Sequence, residues 1–327
     1  MPDFYDALEI RDPQQREAAT LAALPVQVAN AKSRSVAFAS LLADVDPSAV
    51  TSRATLAQLP VIRKSELQEL QQAARASAQG VVGSGAVAPG VVGLGDVFGG
   101  FSAIGFGASM PRVFASPGPI YEPEGIARDY WRMGRAIFAA GFRRGELIHN
   151  CFSYHFVPAG SMMETGAHAL GCTVFPGGTG QTEQQVQAMH DLQPAGYIGT
   201  PSFLKIIVEK AQDMGVALPS VRKAMFGGEA YPPSLRDWFA ARGIAGYQCY
   251  ATADLGLIAY ETQAREGLVL DEGVLLEIVR PGTGDPVGPG EVGEVVVTSL
   301  NPDYPLIRFG TGDLSAILAG TCPTGRT

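Results

Sequence analysis

From about residue 111 to residue 254, short β-prone runs alternate with helical ones, and this alternation restricts the fold more than any other feature. "ELIHNCFSY" precedes "GSMMETGAHALG", "CTVFPGG" precedes "TEQQVQAMHDL", "AGYIGT" precedes "PSFLKIIVEKAQDMG", and "RKAMFGG" precedes "PPSLRDWFAARG". "GYQCYATAD" closes the series. Strands that return through helices run parallel, so the pattern predicts an α/β fold with a mostly parallel, helix-covered sheet. Thr200, as N-cap ahead of Pro201, marks one helix start. Ligands of such sheets bind beyond the carboxyl ends of the strands, which makes the loops after each run the places to look for chemistry.

The flanks differ from this middle portion. Residues 1–75 read as amphipathic helix, with "PQQREAATLAALPVQVANAKSRSVAFASLLADV" at helical spacing and a further helix in "LPVIRKSELQELQQAARA". A glycine-rich stretch follows. Between Arg75 and Arg112 the only charge is Asp96, yet ten glycines in 80–107 leave too little apolar side chain for a membrane helix, so a flexible loop is expected. "GLGDVFGG" misses the dinucleotide fingerprint by one residue of spacing, which weakens a nicotinamide-dependent oxidoreductase. After 265 the helices fade, and "LLEIVRPGTGDPVGPGEVGEVVVTSL" predicts two strands joined by a Gly/Pro turn in a small antiparallel β portion. The expected organisation is thus 1–110, helical with a Gly-rich loop; 111–265, an α/β core; and 266–327, β-rich.

A net charge of −8 argues against a nucleic-acid surface, which needs clustered basic residues. The four cysteines form no CxxC pair, so neither zinc nor a disulfide is expected. "MPDFYDALEIRDPQQ" carries no apolar export core, which implies a cytoplasmic protein with no membrane partner.

Three loops contain residues suited to a nucleotide. Gly227, Gly228 and Glu229 in "MFGGEAYP" either form a plain tight turn or let backbone approach a flat ligand beside a carboxylate. Tyr250, Thr252 and Asp254 in "QCYATADLG" either cap a following helix or offer an aromatic face, a hydroxyl and a metal-binding carboxylate. Arg308, Thr311 and Asp313 in "PLIRFGTGDLS" form a bare β-turn or one whose Asp accepts two hydrogen bonds from a vicinal diol. Phe152, Tyr154, His155 and Phe156 in "CFSYHFVPAGSMMETGAHALG" end a strand, as core packing or as pocket wall.

Taken in order, "FGGE", "YATAD" and "YPLIRFGTGD" resemble the adenylate-forming superfamily, and more narrowly the phenylacetate–CoA ligase branch of the AMP-forming acyl-CoA synthetases. "YDALEIRDPQQRE" and "LPVIRKSELQELQ" also resemble that branch, so the likeness spans nearly the whole chain. The resemblance implies the large N-terminal domain of the adenylate-forming fold. It implies an enzyme that uses ATP and Mg2+ to convert an aromatic carboxylic acid to an acyl-adenylate, then passes the acyl group to CoA. Homodimers are common in the family. By the same resemblance, Gly228 and Glu229 lie along the adenine, Tyr250 stacks beside it, Asp254 binds Mg2+, and Asp313 binds the ribose. Thr252 approaches the α-phosphate and Arg308 lies close to the nucleotide, as the catalytic pair. Phe152, Tyr154, His155, Phe156, Gly228 and Ala251 line the acid pocket.

Three departures accompany the likeness. The family's hydroxyl-rich phosphate loop with a lysine, of the sort SSGTTGKP, corresponds here to "VFASPGPIYEPEG". Ser116 and Gly118 remain as its cofactor-binding residues, but Pro117 and Pro119 remove backbone donors while Glu122 and Glu124 add negative charge. Asp254 stands where the family has Glu. "CPTGRT" lies just before the family's hinge, so the chain is expected to comprise the large domain without its mobile lid, and its ligase activity to be impaired. These departures keep open a non-catalytic adenylate- or acyl-binding protein built on the same fold.

Overall fold

The computed structural model describes residues 3–82 and 96–327. These form two compact units, and neither is continuous in sequence. One comprises Met1–Ile10, Ala127–Asp271 and Thr321–Thr327; the other comprises Arg11–Ile126 and Glu272–Gly320. This division cuts across the consecutive blocks read from the sequence. The reason is pairing between distant segments, which composition does not reveal.

In the first unit, seven strands form one sheet in the order Val269–Leu270, Gly256–Tyr260, Ala245–Thr252, Lys223–Phe226, Gly196–Gly199, Leu147–Asn150 and Thr173–Pro176. The last five are mutually parallel, as the alternation requires, and Gly256–Tyr260 and Val269–Leu270 add an antiparallel edge. Helix Pro201–Asp213 begins as expected, with the Thr200 side chain accepting from the Phe203 N–H and Pro201 in the first turn. Its buried residues Pro201, Leu204, Ile207 and Ala211 fall on one helical face. Leu204, Ile207 and Ala211 join Val186, Met189, Tyr197, Phe226 and Phe239 in one apolar core. Chain order sets the ligand crevice. From Leu147–Asn150 the chain steps outward to Thr173–Pro176, then crosses back to Gly196–Gly199 on the other side. That reversal is a topological switch point, where neighbouring loops diverge.

The second unit is built from helices and a four-stranded sheet, in the order Ile62–Arg63, Phe309–Ser315, Gly293–Ser299 and Val274–Val279. Val274–Val279 and Gly293–Ser299 are the antiparallel pair expected around the Gly/Pro turn. Helix Pro13–Arg34 starts at Asp12, whose carboxylate accepts from the N–H groups of Gln14 and Gln15. It buries Leu24, Gln27, Val28 and Ala31 at helical spacing. A separate hairpin pairs Arg112–Ser116 with Ile120–Glu124. Of the glycine-rich loop expected over 80–107, residues 83–95 lie outside the described residues; beyond them, Phe98 and Phe101 are buried. Among the described residues, no helix is long and apolar enough to cross a membrane.

Candidate functional site

Four adjacent parallel strands of the first unit deliver most of the candidate residues at their carboxyl ends. Phe152 follows Leu147–Asn150, Thr200 follows Gly196–Gly199, Gly227 and Gly228 follow Lys223–Phe226, and Tyr250 to Thr252 end Ala245–Thr252. The structure brings the first three loops together. A β-carbon at Gly228 would lie 3.5 Å from Phe152 Cε1 and 3.7 Å from Thr200 Cγ2. One at Gly227 would lie 3.6 Å from Phe152 Cζ and 3.1 Å from Cys249 Sγ. Gly228 has φ +77°, where any other residue would be strained. The glycine pair therefore presents bare backbone beside an aromatic ring at the switch point.

Glu229 is exposed, and its Oε1 accepts the Ser202 N–H at 2.6 Å. The carboxylate thus sits on the first turn of helix Pro201–Asp213, where the helix dipole favours a negative charge. Tyr250 and Ala251 straddle a β-bulge, a device that re-aims side chains at strand ends. Thr252 Oγ1 accepts the Leu255 N–H at 3.1 Å, within a turn that leads into strand Gly256–Tyr260. No helix follows for Thr252 and Asp254 to cap, which removes that alternative. Asp254 lies in the same turn and is 4% exposed.

The aromatic loop divides in two. Phe152 is buried against the glycines, whereas His155 and Phe156 are exposed, Phe156 at 74% and with φ +63°. His155 and Phe156 pack edge to face on each other, with ring centroids 5.4 Å apart. Tyr154 is positioned by Asn150, a residue that the sequence reading missed. Asn150 Nδ2 donates to the Tyr154 hydroxyl at 2.8 Å and to the Gly160 carbonyl at 2.9 Å, while its Oδ1 accepts the Phe152 N–H at 3.1 Å. The Tyr154 hydroxyl in turn donates to Glu164 Oε2 at 2.8 Å. Burial, and then the Glu164 carboxylate, hold the Tyr154 phenol far above its ordinary range. The available signal was positional: an amide at a strand's last residue, ahead of a loop that must turn sharply.

The second unit holds the other candidates. Arg308, expected close to the nucleotide, is instead 2% exposed and fully engaged inside the protein. Its Nε and Nη2 bond Glu277 at 3.0 and 3.1 Å, and the carbonyls of Ala57, Leu59 and Gly284 take the remaining donors. A guanidinium has five N–H groups, so none remains for a phosphate. Asp313 lies in strand Phe309–Ser315 rather than in a free turn. Gly310 pairs with Val296 and Leu314 with Glu294, so Thr311, Gly312 and Asp313 bulge opposite the single residue Val295. The bulge leaves Asp313 exposed, its N–H donating to Thr311 Oγ1 at 3.2 Å.

Ser116 and Gly118 belong to the hairpin, and the expected phosphate cradle does not fit it. The Ser116 hydroxyl donates to Glu122 Oε1, and the Ser116 N–H to Glu122 Oε2 at 3.2 Å. Ser116 is 5% exposed and Glu122 fully buried. Magnesium is a different case. Among the described residues no group of three or more His, Cys, Asp or Glu is arranged to hold a metal. Fewer than three such ligands around Asp254 suit only an ion that arrives with a nucleotide and keeps phosphate and water ligands.

Known proteins bear out the class this geometry suggests. A family model described as AMP-binding enzyme matches residues 127–301. The phenylacetate-coenzyme A ligase of Aromatoleum evansii is 32% identical over 233 residues, covering 67% of this chain and 52% of that protein. The phenylacetate-coenzyme A ligase of Escherichia coli (strain K12) is 32% identical over 231 residues, covering 66% and 53%. An open conformation of 2-hydroxyisobutyryl-CoA ligase, solved in complex with 2-HIB-AMP and CoA, superposes with a TM-score of 0.84 at 23% identity. That superposition covers 100% of this chain and 70% of the ligase, and it shows the shared fold. The chain belongs to the AMP-binding enzyme family. It spans about half the length of the curated relatives it matches.

Proposed function

We propose that this chain provides the acid- and adenylate-binding part of an AMP-forming acid–thiol ligase acting on an aromatic, phenylacetate-like carboxylate. The observation that carries this reading is the bare Gly227–Gly228 backbone beside the Phe152 ring at the switch point of the parallel sheet. A planar ligand needs such a surface, because a side chain at either glycine would fill the space it occupies. Family membership and the names of the relatives point to the same chemistry.

In this reading ATP supplies the adenylyl group, Mg2+ offsets phosphate charge, and CoA accepts the acyl group as its thioester. The chain's own residues bind and orient. Gly228 lets backbone approach the planar ligand, Tyr250 offers an aromatic face for the base, and Ala251 borders the acid. Glu229 fixes the glycine loop to helix Pro201–Asp213. Thr252 presents a hydroxyl toward the α-phosphate, and Asp254 a carboxylate for a nucleotide-borne ion. Asn150 and Tyr154 hold the acid-side loop in shape. Aligning a carboxylate with a phosphorus and neutralising charge there is the principal task, and none of these residues has to move a proton.

The test is acid-dependent ATP–pyrophosphate exchange, with thioester formation, over phenylacetate, benzoate and an unbranched aliphatic acid. Exchange stimulated by the aromatic acids supports the reading, and stimulation by the aliphatic acid alone overturns it. The Ser116–Glu122 pairing favours a second reading, a non-catalytic adenylate-binding protein. That reading expects AMP and aromatic acid to bind with no exchange.

A further inference from the structure

We propose that the cleft at the amino end of strand Ala245–Thr252 is a second small-molecule site, for a compound that carries both a carboxylate and an amide. The cleft measures about 500 Å³, a size that suits a small ligand. Helix Pro233–Ala240 and the first residues of the strand line it, and Gly246 stands roughly 20 Å along the strand from Thr252. All of its lining belongs to the first unit, and the inference does not depend on the nucleotide reading above.

The main chain supplies the amide half of this recognition. The Ala245 N–H donates to the Arg222 carbonyl, in the parallel pairing with Lys223–Phe226. Successive residues of a strand face opposite neighbours, so the N–H and C=O of Gly246 and Gln248 point the other way. Gln248 is met there by Glu261, whose N–H donates to the Gln248 carbonyl at 2.9 Å and whose Oε2 accepts the Gln248 N–H at 3.2 Å. Beyond Glu261 the chain turns away, the Arg265 N–H returning to the Thr262 carbonyl at 3.1 Å. Gly246 is buried, yet among the described residues no protein group meets its N–H or C=O on this side. An amide laid in that gap pairs with both, as one more strand residue would. Side chains supply the carboxylate half. Arg236 is held by Glu261 at 2.9 and 3.1 Å. Arg265 is exposed and stacks 4.7 Å from the centre of the Tyr247 ring, and among the described residues its guanidinium makes no ion pair. The Tyr231 hydroxyl is buried without a hydrogen-bond partner, 2.4 Å from where a Gly246 β-carbon would stand. Burial raises the Tyr231 phenol above its ordinary value, opposed by the charges of Arg236 and Arg265, so it stays a donor. An unmet buried donor beside an unpaired cation calls for an anion. Ala240 and Ile244 offer an apolar wall, and Asp237 is exposed, its charge screened by solvent.

The experiment is an NMR titration of the full 15N-labelled chain with N-acetylglycine, which carries both groups. Propionate and N-methylacetamide serve as the carboxylate-only and amide-only comparators. The Gly246 amide resonance should move along a saturable curve with N-acetylglycine, at a midpoint about tenfold or more below that of either comparator. Arg265→Gln should raise that midpoint about tenfold, and Tyr231→Phe about threefold, because a charged contact is worth more than a neutral one. Saturating AMP should leave it unchanged. No saturable movement of Gly246 overturns the site, and so does an Arg265→Gln variant that binds as the unaltered chain does. Propionate binding as tightly as N-acetylglycine overturns the amide half. Displacement of N-acetylglycine by AMP would mean that the probe occupies the loops at the carboxyl ends of the strands, and it overturns the inference while leaving the nucleotide reading standing. Should Tyr231→Phe fail to fold, Arg265→Gln, at an exposed position, decides by itself.

Discussion

Two buried side chains show how a single residue can look like machinery and serve as framework. Arg308 spends every donor on Glu277 and three carbonyls of its own unit. Burial raises the Glu277 carboxyl above its ordinary value, and the Arg308 charge opposes that rise. Replacing Arg308 with Met leaves Glu277 buried without its partner, so stability should fall by about 3–5 kcal/mol. The freed Glu277 then binds a proton more readily folded than unfolded. The deficit should therefore be smallest below the ordinary glutamate pKa of 4.5 and should grow as pH rises through the raised folded value. Chemical denaturation at several pH values checks this, with Glu277→Gln in the same background expected to remove the pH dependence. His149 behaves oppositely. It is fully buried, stacks on Phe175, and meets Gln185 Oε1 through Nε2 at 2.6 Å. Burial lowers its pKa below the ordinary 6.5, against the Gln185 hydrogen bond. The unfolded chain binds this proton first, so as pH falls below 6.5 the contribution should decline by about 1.4 kcal/mol per unit until the folded pKa is reached. Subtracting the unfolding profile of His149→Gln isolates that slope, and parallel profiles would refute it.

At the scale of elements, what was legible depended on how local the signal is. Each strand and its returning helix are adjacent in sequence, so the parallel sheet, the antiparallel pair after residue 265 and the Thr200–Pro201 helix start could all be read in advance. The glycine pair was legible as two small residues at a strand end; its partners Phe152 and Thr200 come from other loops and were seen only separately. Ser116 and Arg308 were misleading, because a hydroxyl or a guanidinium reads the same whether its acceptor is a ligand or a protein oxygen. For Ser116 the competitor stood six residues away; for Arg308 its acceptors range from Gly284 back to Ala57. Asn150 escaped notice because loops are shaped by hydrogen bonds that leave no periodicity. Its amide fixes Phe152, Tyr154 and Gly160 at once, so Asn150→Ala should loosen the whole loop. The expected loss is about 1–3 kcal/mol, with weaker binding of an aromatic acid and little change in AMP binding. Titrating both ligands into the variant distinguishes this from general unfolding, which would weaken them together.

The whole molecule is organised by closures between segments far apart in sequence. In the second unit, Ile62–Arg63 completes a sheet by parallel pairing with Phe309 and Gly310. In the first, the segments Met1–Ile10 and Thr321–Thr327 meet on Glu9, which is 1% exposed. Its carboxylate accepts from the Tyr260 hydroxyl at 2.8 Å, the Tyr5 N–H at 2.9 Å and Arg326 Nε at 3.2 Å. The Thr327 N–H donates to the Glu9 carbonyl at 3.0 Å. Burial, with Glu9 next, raises the Tyr260 phenol far beyond its usual range, so this tyrosine stays a donor at every working pH. Arg326 is the cation in direct hydrogen-bond contact with Glu9, and Arg135 stands at 4.0 Å. Arg326→Met should therefore strand a buried carboxylate and destabilise this unit by about 3 kcal/mol. Both tryptophans, Trp131 and Trp238, lie in the first unit, so their fluorescence follows its unfolding selectively. The urea midpoint read by fluorescence should fall clearly in Arg326→Met and recover in part when Glu9→Gln is added, because the second change removes the charge that the first left unpaired. A midpoint that stays put in the single variant would mean that Tyr260, the Tyr5 N–H and the more distant Arg135 suffice to hold Glu9, and that the C-terminal segment contributes no stability to this unit.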